Sequence, residues 1–238
     1  DLLSYGLNTT VVKNDGKVSE CVWKVGGKYG AAIEKIVFWL QQALNVAEND
    51  KQQDVIELLI SYYKSGLLRD FNEYCIEWVE EKDSLVDFIN GFIEVYDDPL
   101  GLKGTWEGLV EYRDIEGTKR TKVISENAQW FEDHSPIDPR FKKKQVNGVS
   151  ANVICAAMLG GGEYPSTAIG INLPNADWIR AVHGSKSVTI SNIISAYNEA
   201  ARGNGFDDEF VIDEETKDMI RKYGDLCDVI HTDLHECL

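Results

Sequence analysis

Two hydrophobic periodicities alternate along this chain, and their order is what most restricts its fold. Residues 31–48, AAIEKIVFWLQQALNVAE, repeat apolar side chains at helical spacing, so that Ile33, Ile36, Val37, Leu40 and Leu44 form one stripe. Residues 53–64 and 68–81 predict two further amphipathic helices, with Ser65-Gly66 as the stop between them. The pattern then changes to runs rich in aromatic and β-branched residues, FINGFIEVY at 88–96 and WEGLVEYR at 106–113. Pro99, Gly101 and Gly104 signal a loop between them. A polar stretch of helical tendency covers 119–133, and the turn-prone HSPIDPR follows it. Strand character resumes at 149–158 and 167–173. Helical character returns at 188–202, where Val188, Ile190, Ile193, Ile194 and Tyr197 can face a core, and again at 213–223 and 225–238. Gly224 reads as a break between the last two helices, and Asp213 as an N-cap. Strand-like sections that interrupt helical ones predict an α+β chain that visits its lobes more than once.

Composition removes several classes of partner. With 40 acidic against 24 basic residues the formal net charge is −16, whereas a binder of nucleic acid or anionic membrane needs a basic stripe. No nucleic-acid and no membrane partner is therefore expected, and Lys142-Lys143-Lys144 reads as a solvated loop. No apolar stretch approaches the roughly 18 residues of a membrane helix. The opening Asp1-Leu2-Leu3-Ser4 lacks the charged and apolar regions of a secretory leader. The five cysteines, Cys21, Cys75, Cys155, Cys227 and Cys237, form no CxxC pair. That argues against a structural zinc site or disulfide framework and for a reducing, cytoplasmic setting. Gly160-Gly161-Gly162, without a following Gly-Lys-Ser/Thr, reads as a connection rather than a phosphate loop.

The chemically informative segment is His231-Thr232-Asp233-Leu234-His235-Glu236-Cys237-Leu238. A His followed directly by Glu on a helix is the first half of a zincin motif. The His binds the metal through a ring nitrogen, and the Glu takes a proton from metal-bound water. Alone the dipeptide is a weak signal, because most such pairs are solvated helix surface. His231 and His235, one turn apart on one face, also read as an incidental pair when no third ligand is visible. By the same standard Tyr96 reads as a buried strand aromatic, Glu94 as an exposed strand carboxylate on its face, and Asn175 as a turn residue after Pro174.

Several segments taken together resemble the dipeptidyl peptidase III family, whose zinc motif is H-E-x-x-G-H. His235-Glu236-Cys237-Leu238 matches the first two thirds of it. GFIEVYDDPLGLKGTWEGLV at 91–110 is similar to the family's G-F-I-E-x-Y-x-D-P-x-G block, and GINLPNADWIR at 170–180 to its G-I-N-x-P-N segment. SVTISNII at 187–194 and the helix carrying Gln41-Gln42-Ala43 continue the likeness. The resemblance implies a cytoplasmic, monomeric zinc exopeptidase that releases dipeptides from the N-termini of oligopeptides. It makes His235 a zinc ligand, Glu236 the general base, and Tyr96 a donor to the oxyanion of the tetrahedral intermediate. Glu94, Asn172 and Asn175 would receive the substrate ammonium, Gly170, Ile171 and Asn172 would form an edge strand to which the peptide adds, and Glu107 would line the cleft. Thr105 stands where animal members carry a glutamate.

The same resemblance implies two lobes. Residues 1–118 and 149–187 would build a β-barrel-cored lobe wrapped by helices, and 119–148 and 188–238 part of a mainly helical zinc lobe. The remaining zinc ligands would then follow Leu238, so this piece alone is expected to be inactive and to hold no stoichiometric zinc. Two other readings stay open: a non-catalytic peptide-binding relative, and a gluzincin-type protease with plain H-E-x-x-H. Gly-His after Leu238 would separate the main reading from both.

Overall fold

The computed structural model describes residues 3–146, 150–164 and 167–237. Asp1 and Leu2, Val149 at the head of an expected strand, Pro165-Ser166, and Leu238 of the His-Glu motif lie outside the described residues. The architecture is α+β, and the chain divides into two compact units. One comprises residues 1–108, 160–162 and 174–183, the other residues 109–159, 163–173 and 184–238.

In the first unit, β1 (Thr9–Asn14) and β2 (Lys17–Val22) form an antiparallel hairpin with Asn14 opposite Lys17. Asp15 and Gly16 have φ of 50° and 81°, the left-handed pair that a two-residue hairpin turn needs. Helix α1 (Gly30–Ala43) buries Ile33, Val37 and Leu40 of the expected stripe, and a 3₁₀ turn at Leu44–Val46 closes it. Helix α2 (Asp50–Ser65) starts at Asn49, whose side chain accepts from the Gln52 N–H at 2.9 Å. It stops at Gly66, which leaves the helix with φ 72°. Helix α3 (Leu68–Glu80) packs against α2, and Val55, Leu59, Tyr63, Tyr74, Trp78 and Val79 are buried there.

A polar relay joins these helices to β3 (Val86–Phe92) and the start of β4 (Trp106–Arg113). Trp106 Nε1 donates to the Tyr63 hydroxyl at 2.9 Å, which donates to Asn90 Oδ1 at 2.5 Å. Each interior polar atom of the relay therefore has a partner, which removes the cost of its burial. Helix α6 (Asp177–His183) rests on α3 with Ile179 fully buried.

Strands β4 and β5 (Ser150–Gly161) contribute residues to both units, and the hydrogen-bonded order is β3-β4-β5-β7-β6. Gly160 and Gly161 finish β5 as strand residues, where a bare connection was expected. In the second unit β7 (Lys186–Ile190) runs parallel to β5 and antiparallel to β6 (Gly170–Leu173), which leaves β6 at the edge. The helix expected over 188–202 thus begins too early. Residues 186–190 are a strand buried at every position, and α7 (Ser191–Ala201) starts after it. Val188 and Ile190 alternate with Ser187 and Thr189, but the run is five residues long and leads straight into α7, so its apolar residues merge with that helix's stripe. Tyr197, also placed on that stripe, is 51% exposed.

Helices α4 (Ile115–Glu126) and α5 (Ala128–His134) occupy the polar stretch of helical tendency. After the short α8 (Phe206–Phe210), α9 (Glu214–Cys237) runs unbroken through Gly224, against the expected break. Asp213 caps it, accepting from the Thr216 N–H at 2.7 Å. Unlike Gly66, Gly224 keeps helical backbone, and α9 packs along β6, β7, α4 and α7. That tertiary packing overrides the cost of about 1 kcal/mol of a mid-helix glycine. Among the described residues no helix is long and apolar enough to cross a membrane.

The cysteines are free, and their settings differ. Burial pushes the Cys75 thiol up to about 12, whereas Cys227 lies exposed on α9. The thiolate is the species that alkylates, so at pH 8 iodoacetamide should modify Cys75 at least ~10-fold more slowly than Cys227. Peptide mapping by mass spectrometry checks this, and denaturant should abolish the difference.

Candidate active site

In the first unit the site residues gather where β3 ends. The strand expected over 88–96 stops at Phe92. Two bonds prolong the pairing: the Ile93 N–H donates to Thr105 O at 3.1 Å and the Thr105 N–H to Glu94 O at 2.7 Å. The chain then turns around Asp98, whose carboxylate accepts from the N–H groups of Leu102 at 2.8 Å and Lys103 at 3.0 Å. Those two bonds hold the Asp98 carboxyl below the usual carboxylate range. Tyr96, at the start of this turn, is 89% exposed, so it is not the buried strand aromatic its neighbours suggested.

Glu94 is held from two sides. Its own N–H donates to Glu107 Oε1 at 3.0 Å, and its Oε1 accepts from Asn175 Nδ2 at 2.8 Å. Glu107, expected in the cleft, is 4% exposed and holds the backbone of Glu94 through that bond. Asn175 reaches Glu94 from 81 residues away, just before α6. A carboxylate and a side-chain amide at hydrogen-bonding distance form an acceptor-rich pair of the kind that receives an ammonium group.

In the second unit the last turn of α9 carries His235, which is exposed, and Glu236, which is half-buried. Burial pushes the Glu236 carboxyl up, and the neighbouring His235 opposes that shift. Strand β6 contributes Gly170, Ile171 and Asn172. Asn172 Nδ2 donates to the Glu236 carbonyl at 3.4 Å, while its Oδ1 is buried with no hydrogen-bond partner among the described residues. Ser187, opposite Asn172 on β7, donates its hydroxyl to the same carbonyl at 2.5 Å. Sequence reasoning missed Ser187, because the stretch containing it read as the approach to a helix. The alternation in SVTI was the available signal.

Metal chemistry has one foothold here. A catalytic zinc takes three protein ligands, and among the described residues no three His, Cys, Asp or Glu side chains are grouped to hold an ion. The residues present fit such a site only through His235, so no reaction step through a metal follows from this geometry.

The chain matches the family model "Peptidase family M49" over residues 8–238. It is similar to dipeptidyl peptidase 3 of Dictyostelium discoideum, at 33% identity over 72% of this chain and 24% of the relative. It is also similar to dipeptidyl peptidase 3 of Rattus norvegicus, at 28% identity over 89% of this chain and 28% of the relative. Among solved structures, DPP III from Caldithrix abyssi superposes with a TM-score of 0.71 at 21% identity, covering 82% of this chain and 37% of that one. The chain therefore spans about a quarter of the length of the curated relatives it matches.

Proposed function

The chain belongs to peptidase family M49, and from that premise we propose that it is part of a zinc-dependent dipeptidyl peptidase that removes dipeptides from the free N-termini of oligopeptides. M49 peptidases are metallopeptidases. Zinc, when bound, supplies a polarised water, and His235 would be one of its ligands. Glu236 takes the proton of the attacking water, and Tyr96, exposed beside the turn, donates to the developing oxyanion. The open edge of β6 receives the peptide backbone, which supports broad side-chain tolerance. The scattered free thiols support a cytoplasmic location, and a monomer is the proposed state.

The observation that carries this reading is the Glu94–Asn175 pair. An enzyme that counts two residues from a terminus needs an anchor for the terminal charge, and a carboxylate with an amide beside it provides one. The test uses the full-length protein. Free-amine peptides should yield N-terminal dipeptides, and N-acetylated peptides should be poor substrates. Glu94→Gln should weaken kcat/KM for free-amine peptides by about 1.5–3 kcal/mol, the scale of a hydrogen bond to a charged group, with little change for acetylated ones. Equal losses on both, or cleavage at internal bonds, would overturn the assignment.

A further inference from the structure

We propose that Gly170, Asn172 and Ser187 form a seat on the β6–β7 face that fixes the position of Glu236, so that the strand offered to the substrate also aligns the catalytic carboxylate. This rests on the reading of Glu236 as general base and adds positioning residues to it.

Gly170 and Asn172 are two residues apart on one strand and therefore share a face. Ser187 is the cross-strand partner of Asn172 on β7, so it joins them there. The last turn of α9 comes down on those three positions. Two grip its backbone, since the Ser187 hydroxyl donates to the Glu236 carbonyl at 2.5 Å and Asn172 Nδ2 at 3.4 Å. The third makes room for its side chain. A Cβ on Gly170 would fall 2.4 Å from Glu236 Oε1, 2.6 Å from Cδ and 2.7 Å from Cγ, so the carboxylate lies directly over the glycine. Gly170 is not among the residues at positive φ, and an edge strand accepts alanine readily. The glycine is thus needed for space and not for backbone conformation.

That distinction makes the role separable from a structural one. The three nearest atoms that a Gly170→Ala methyl would meet are those of one movable side chain, so the substitution should displace Glu236 and leave the fold in place. Displacing a catalytic group by about 1 Å can cost on the order of 10²-fold in rate.

In the full-length enzyme, Gly170→Ala should therefore lower kcat by roughly ten- to a hundredfold, with KM, melting temperature and bound metal little changed. Glu236→Asp, whose carboxylate is one methylene shorter, should cost far less in the Gly170→Ala background than in the wild type. An unchanged kcat, or strictly additive effects in that cycle, would overturn the seat. Should Gly170→Ala fail to fold, Ser187→Ala decides: lowered kcat at constant KM supports the seat, and unchanged kcat overturns it. Glu236→Ala separates the two levels. If it keeps full activity, the general-base reading fails; if it is inactive while Gly170→Ala and Ser187→Ala behave as wild type, only the seat fails.

Discussion

Glu236→Ala in the full-length protein is expected to lower kcat for dipeptide release by ~10²–10⁴-fold, the range a positioned general base contributes. Bound metal should stay, because His235 is untouched and its ring is exposed on the neighbouring position of α9. Folding should also survive. The carboxylate is half-buried and lies over Gly170, so its loss removes a group that burial already pushes away from ionisation. The expected signature is therefore a fall in kcat with bound metal and unfolding midpoint preserved, and with KM changed far less than kcat. Metal analysis beside steady-state kinetics checks it. A kcat within a few fold of wild type, with metal bound, would remove Glu236 from the chemistry.

How much of this was legible beforehand depended on how local each signal is. The stop at Gly66 and the strand at Trp106–Arg113 follow from neighbours within a few residues, and the structure places both there. The β1–β2 hairpin had its signal in Asp15-Gly16, yet Val11 and Val18 of its strands are exposed, so no buried face marked them. Strand β7 failed for another reason: its alternating SVTI is short and runs directly into α7, so it merged with the helical stripe. Gly66 and Gly224 are the same residue type with opposite outcomes, and only the surfaces packed along α9 distinguish them. The site divides in the same manner. His235-Glu236 is contiguous and readable as a motif, and Glu94 with Asn175 was reached through resemblance. The bond between the latter two spans 81 residues and has no local signature. Nor could sequence show that Asn172 grips the Glu236 carbonyl, since that depends on which helix covers the face of β6.

The same blindness to long-range pairing hid Arg120 and Asp233, 113 residues apart, and the second large expected effect lies there. Arg120 Nε on α4 pairs with Asp233 Oδ2 on α9, two residues before His235 of the His-Glu dipeptide. The Asp233 side chain is 0% exposed, and its Oδ1 has no hydrogen-bond partner among the described residues, while Arg120 is 36% exposed. The two partners are therefore unequal. Removing Arg120 strands a carboxylate in the interior, and breaking a buried pair in that way costs about 3 kcal/mol, the low end of the usual range because the arginine is partly solvated. Removing Asp233 frees an arginine that can turn its guanidinium to water, at the cost of a small void. Arg120→Ala should accordingly lower the opening free energy of α9 by about 3 kcal/mol, and Asp233→Ala by less. The double variant should be more stable than Arg120→Ala alone, because the stranded charge is then gone. Native-state hydrogen exchange of the α9 amides measures all three values in one segment. A loss from Asp233→Ala equal to that from Arg120→Ala, with additivity in the double variant, would show that the pair contributes packing alone.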